Sequence, residues 1–168
     1  MPTKKPVSTN SNTSWVLTGG AAVHECIDEP LASTDDAASR VTSNTNGAMF
    51  SVAMETMDNP NAPYAGSLVI WFRQIYATLV GDPATQSIVY TVKSAGSTVA
   101  TITYVLNTIS TTWTSYSYTF SAAELALITD YNDIDVECVS NVSGGTQARI
   151  STIEMVVSDR ILRAYLIA

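Results

Sequence analysis

The feature that most constrains this chain is a two-residue rhythm of apolar and polar side chains, repeated in short stretches from Met49 to Val157. Successive side chains of a strand point to opposite faces, so such a rhythm predicts a strand with one buried face. In 49–57, Phe50, Val52, Met54 and Thr56 share the inward face and Met49, Ser51, Ala53 and Glu55 the outer one. Ile88, Tyr90 and Val92 repeat the pattern, as does Val99 to Val105, and Ala148 to Val157 continues as a last strand. Ile134, Val136 and Cys138 alternate with Asp133, Asp135 and Glu137, an acidic outer face of the kind that protects the edge of a sheet. Ser67 to Val80 is apolar on both faces, with Val69, Trp71 and Arg73 opposite Leu68, Ile70 and Phe72, and is expected inside its sheet.

Gly, Pro, Asn and Asp clusters separate these stretches. Ser94-Ala-Gly-Ser97 reads as a hairpin turn, and Asn46-Gly47 as another. Shorter strands are expected at Trp15–Leu17, Ala22–Ile27 and Arg40–Ser43. Ser121-Ala-Ala-Glu124 is a capping box that opens one short helix. Ser and Thr make up roughly a quarter of the chain and charged residues 14%, a composition poor in the makers of exposed helix faces. The expected fold is all-β: an antiparallel two-sheet, jelly-roll-like sandwich of about eight strands with one short helix.

The 168 residues carry a net charge of -7, unevenly placed. Residues 15–158 hold fourteen acids against four bases, a net -10, whereas residues 1–14 contribute +2 and residues 159–168 contribute +1. An acidic body argues against binding to nucleic acid phosphate. No run approaches the roughly 18 apolar residues of a membrane span, and the N-terminus lacks a secretory apolar stretch, so synthesis in the cytoplasm is expected. Three segments follow: an extended N-terminal arm over 1–14, a sandwich over 15–158, and an apolar, basic tail over 159–168. The arms offer Lys4 and Lys5 at one end and Arg160, Ile161, Leu162, Arg163, Tyr165, Leu166 and Ile167 at the other as candidate partner contacts. The tail has an equal alternative, to fold back on its own domain.

Candidate chemistry is sparse. A single histidine, His24, supports no catalytic triad by spacing, and no carboxylate pair stands out for glycoside hydrolysis. Asp28, Glu29, Asp35 and Asp36 are the weak candidates for a Ca2+ site, but their spacing matches no loop pattern and a solvated acidic loop is the favoured reading. Cys26 and Cys138 belong to no metal motif and read as reduced core residues. Trp71, Tyr76, Trp113, Tyr116 and Tyr118 could form a sugar-stacking platform, but alternation places most of them where a core needs bulk. No catalytic residue, metal or cofactor is assigned.

The Ser/Thr-rich β domain from Trp15 to Ser158, its opening Trp15-Val-Leu, the segment His24-Glu-Cys-Ile-Asp28-Glu29 with Asp35-Asp36, Ser121-Ala-Ala-Glu124 and the two arms resemble the jelly-roll capsid decoration (cement) proteins of tailed bacteriophages. The resemblance implies a non-enzymatic virion protein, assembled in the host cytoplasm, that binds the major capsid protein as a homotrimer. The alternative is a carbohydrate-binding module or the receptor-binding tip of a virion appendage.

Overall fold

A computed structural model describes residues 3–33, 36, 38–56, 68–78, 81–143 and 145–157. Among them are eleven strands: β1 (Thr3–Lys4), β2 (Pro6–Thr13), β3 (Val16–Thr18), β4 (Arg40–Ser43), β5 (Ala48–Met54), β6 (Leu68–Thr78), β7 (Ser87–Ser94), β8 (Ser97–Val105), β9 (Thr114–Thr119), β10 (Ile134–Asn141) and β11 (Gln147–Val157). Two short helices accompany them, α1 (Val23–Ile27) and α2 (Ala122–Leu125). One sheet runs β3-β4-β11-β6-β9, with β1 also paired to β11, and the other runs β2-β5-β10-β7-β8. Every pairing is antiparallel. The all-β two-sheet sandwich expected from the alternation is the fold observed.

Between the sheets lie the alternating inward residues: Phe50, Val52 and Met54 of β5, Ile88, Tyr90 and Val92 of β7, Ile134, Val136 and Cys138 of β10, and Ile70 and Phe72 of β6. Phe72 stacks on Tyr90 with ring centroids 3.8 Å apart, joining the sheets at their middle. The Tyr90 hydroxyl donates to Gln74 Oε1 at 2.6 Å, so the phenol keeps a partner inside the core. Trp15 meets Phe50 edge-on at 5.2 Å and seals one side. The β7–β8 hairpin turns through Ala95 and Gly96, both with positive φ (48° and 77°), and Ser94 pairs with Ser97 as expected.

Several expectations need correction. Residues 1–14 are expected as an extended arm apart from the sandwich, yet its described part belongs to the sheets: β1 pairs with β11 and β2 forms the edge of the second sheet against β5. PVSTNSNT has only Pro6 buried, so β2 is held by its backbone ladder and by polar side chains rather than by apolar burial. Thr13 Oγ1 donates to Met49 O at 3.1 Å, and Asn10 Nδ2 to Asp135 Oδ1 at 2.8 Å. The stretch 22–27 is α1 with its N-cap Ala22, not a strand. Val23, Cys26 and Ile27, spaced i, i+3, i+4, form its buried face, and Glu25 Oε2 accepts from the Ala21 and Ala22 amides at 2.7 and 3.1 Å. Asn46-Gly47 links two sheets instead of closing a hairpin, since β4 and β5 lie in different sheets. The acidic strand β10 is central, not an edge: Lys93 Nζ sits 3.0 Å from Glu137, and Asn10 bonds Asp135, which relieves the like charges.

Candidate functional site

At one end of the sandwich three loops border an open cavity of about 550 Å³. The first is the β4–β5 turn, Asn44 to Asn46, fixed by the buried contact of the Ser43 and Ser140 hydroxyls at 2.8 Å and by Gly47 N donating to Ser140 O at 2.8 Å. The second precedes β7, where Asp82 Oδ1 accepts from Ala84 N at 2.9 Å and starts a 3-10 turn with Pro83 in its first position. The third runs from Asn141 toward β11. Gln86, buried beneath the cavity, ties the second loop to the third: its Oε1 accepts from Ser143 N at 2.9 Å and its Nε2 donates to Asp82 O at 3.3 Å.

The chemistry of the lining is uniform. Its described residues are three asparagines, a glutamine, two threonines, a serine and Val142, with no ionisable group. Asn46 makes no side-chain hydrogen bond among the described residues. Asn44 uses only Oδ1, accepting from Thr45 at 3.4 Å, and Asn141 only Nδ2, donating to Ser87 Oγ at 3.3 Å. Three carboxamides therefore keep donors and acceptors for a guest. The volume falls within the range of small-molecule sites. Such a lining can bind a neutral, hydroxyl-rich molecule, and it offers neither a general base nor an activated nucleophile.

The outer face of the first sheet is the second notable surface. On β6, Trp71 and Arg73 point outward, half-buried, opposite Glu154 and Thr152 of β11 and Ser117 and Ser115 of β9. Arg73 grips Asp36 with both prongs, Nε to Oδ1 at 2.7 Å and Nη2 to Oδ2 at 2.6 Å, while Ser151 Oγ donates to the same Oδ1 at 2.6 Å. Burial alone would raise the Asp36 carboxyl, but these bonds and the Arg73 charge hold it below its ordinary value. Arg149 of β11 faces the same way, between Thr42 of β4 and Ile75 of β6.

The proposed Ca2+ ligands are not brought together. Asp36 is committed to Arg73 and Ser151, Asp28 lies 3.6 Å from Lys5 Nζ and bridges to Thr152, and Asp35 lies outside the described residues, which contain no cluster of three His, Cys, Asp or Glu fit for a metal. Glu29 is half-buried beside Asp28 without joining it in a ligand set. His24 is structural: its Nδ1 lies 3.0 Å from Thr9 Oγ1 and fastens α1 to β2. Both cysteines are free and buried, and burial pushes their thiols up. Tyr76, Tyr116 and Tyr118 pack against the core; Trp71 stays on the outer face, and Trp113 is half-buried ahead of β9. Lys4 is half-buried in β1 and Lys5 faces Asp28 of its own chain, whereas Arg160, Ile161, Leu162, Arg163, Tyr165, Leu166 and Ile167 lie outside the described residues. Sequence spacing gave no sign of the end cavity, because its three loops are far apart along the chain.

No protein-family model matches the sequence, and no curated protein matches it. Solved structures do match its fold. The C-terminal family 6 carbohydrate-binding module of LamC, a marine laminarinase from Zobellia galactanivorans, superposes with a TM-score of 0.53 at 15% identity, covering 92% of this chain and 99% of the module. A family 6 module of lichenase 5A from Cellvibrio mixtus, solved with cellotriose, gives 0.49 at 12% identity, over 94% of this chain and 98% of that one. The first of these shows a shared β-sandwich; it backs the sandwich that the decoration-protein resemblance implied and lends nothing to a capsid role.

Proposed function

We infer that this chain is a non-catalytic carbohydrate-binding module that takes a neutral glycan in its end cavity. The observation that carries the reading is the lining: amides and hydroxyls from three pinned loops, without a charge or a candidate nucleophile beside a base. Sugar hydroxyls both donate and accept, and the carboxamides of Asn44, Asn46 and Asn141 offer both roles in turn. Loops fixed by Gln86 and by the Ser43–Ser140 contact are ordered before the ligand arrives, which lowers the cost of binding. The sandwich shared with the LamC module agrees with this reading.

The test is a glycan array followed by titration calorimetry on the polysaccharide retained. Wild type is expected to bind at least one neutral glycan and release no reducing sugar from it. Asn44→Ala with Asn46→Ala removes two carboxamides, about 0.5–1.5 kcal/mol each, and should weaken binding about tenfold or more. Failure to retain any neutral glycan, or unchanged affinity in the double variant, refutes the reading.

A further inference from the structure

Between Lys93 and Glu124 the chain runs through residues 94–123 without one charged side chain. This run supplies β8 and β9, each the last strand of its sheet. Tyr104 of β8 and Tyr116 of β9 meet between the two edges, ring centroids 5.3 Å apart, and close the core from that side. One flank of a chain with net charge -7 is therefore uncharged. The charges that border it are engaged, Lys93 with Glu137 and Glu124 with the hydroxyls of Tyr118 and Ser121.

The opposite flank, formed by the edges β2 and β3, carries the devices that keep a sheet edge from pairing with another chain. β2 begins with Pro6 and shifts register twice against β5. α1 packs on it, with the His24 amide donating to Thr9 Oγ1 at 3.1 Å. β3 has only three residues. β8 is built differently: STVATITYV is nine residues long, without proline, glycine or charge, and its one register shift lies near its start, opposite Val92 and Lys93. The Asp130 amide donates to Ser94 Oγ at 3.0 Å, which fastens the segment after α2 to the β7–β8 turn and leaves Thr101 and Thr103 exposed. Among the described residues, no main-chain group of 97–104 bonds outside the β7 ladder. Alternate N–H and C=O groups of an edge strand point away from its neighbour, so β8 presents a row of donors and acceptors ready for a second strand.

We propose that β8 is the interface of a two-fold homodimer, in which it pairs antiparallel with β8 of a second copy, centred on Thr101, and joins two sheets into one. Charge argues for a second copy as the occupant. Two acidic bodies repel, and this flank is where they can meet without opposing like charges. An antiparallel pair of one strand with itself is also self-complementary, as a two-fold contact requires. The proposal stands apart from the glycan reading. It does place the two end cavities: β8 finishes beside Gln86 of the cavity, through Leu106 N donating to Gln86 O at 2.8 Å, so antiparallel pairing turns the two cavities away from each other.

The test is sedimentation velocity of the full chain at pH 7 and physiological salt, from about 1 µM to about 500 µM. Wild type should pass reversibly from monomer to dimer across this range. Thr101 faces its own copy at the two-fold centre, so Thr101→Lys and Thr101→Glu both set like charges opposite one another, and each should raise the dimer dissociation constant about tenfold or more. Val16→Lys, at an exposed position of β3 on the opposite flank, should leave it unchanged. Circular dichroism of the variants should match wild type, since both positions are exposed. Hydrogen exchange gives a reading without substitution: β8 amides should exchange more slowly as the wild-type concentration rises, and β3 amides should not. A wild type that stays monomeric throughout, or that assembles as a trimer, overturns the proposal. So does a Thr101→Lys chain that dimerises more tightly than wild type, because the facing surface is then acidic and not β8 itself. Loss of the dimer in Val16→Lys overturns it as well. A dimer indifferent to both Thr101 variants but lost on removing residues 159–168 assigns the contact to the tail and equally refutes the β8 pairing.

Discussion

Replacing Arg73 with Gln tests how the segment before β4 is held on the sandwich. The Arg73–Asp36 fork has two short bonds, at 2.7 and 2.6 Å, with the side chains 22% and 15% exposed, so solvent screens it only in part. Hydrogen bonds between charged groups contribute about 1.5–3 kcal/mol each when dry. With that exposure, and with Ser151 still donating to the carboxylate, the loss should be about 2–3 kcal/mol at neutral pH. For a domain of this size that lowers the melting temperature by roughly 5–10 °C. The effect has a pH signature. The Asp36 carboxyl is held below its ordinary 3.8, so the folded state gains from the charged form. Its contribution is complete above the unfolded value and fades as pH falls through the lower, folded value. Urea unfolding of wild type and Arg73→Gln at several pH values should therefore show a constant gap from about pH 5 to 8 that narrows below about pH 4. A gap under about 0.5 kcal/mol at pH 7, or one that does not narrow in acid, would refute the idea that the ion pair carries this contact.

Two shorter predictions concern the strands. Deleting residues 1–13 removes β1 and β2 and exposes the edge of β5, so the remainder should melt at a clearly lower temperature or aggregate; unchanged circular dichroism and melting would contradict the pairing described. Ala95 occupies a left-handed position with φ 48° in a two-residue turn, so Ala95→Asn should stabilise the chain by about 0.5–1 kcal/mol in urea titrations.

What could be read from the sequence was what one face of one element decides alone. Alternation located β5, β7 and β10 because each buries every second side chain, and it reached β8 and β11 through their apolar residues although burial along them is irregular. The Ser121–Glu124 box marked α2 because its donors and acceptors are three residues apart, and Ser121 Oγ does accept from Glu124 N at 3.3 Å. β2 escaped because a strand held by its ladder and by Thr and Asn side chains leaves no apolar rhythm. α1 escaped because Val and Ile favour strands, and a five-residue helix shows its i, i+3, i+4 spacing only once. The candidate site escaped for a different reason. Asn46, Gln86 and Asn141 become neighbours only through sheet order, which no local pattern records.

The pairing of Thr3 with Val156 also sets when the fold can be completed. β11 is the strand on which β1, β4 and β6 all converge, and it is the last strand synthesised among those described. On the ribosome the first sheet therefore lacks its shared member until Gln147–Val157 has emerged, and β6, apolar on its inward face, waits with one side of its ladder open. Closure of such long-range pairs is slow, and the waiting strands are the period of greatest exposure to aggregation. Yield in cells should depend on the rate at which β11 docks more than on the stability of the finished sandwich.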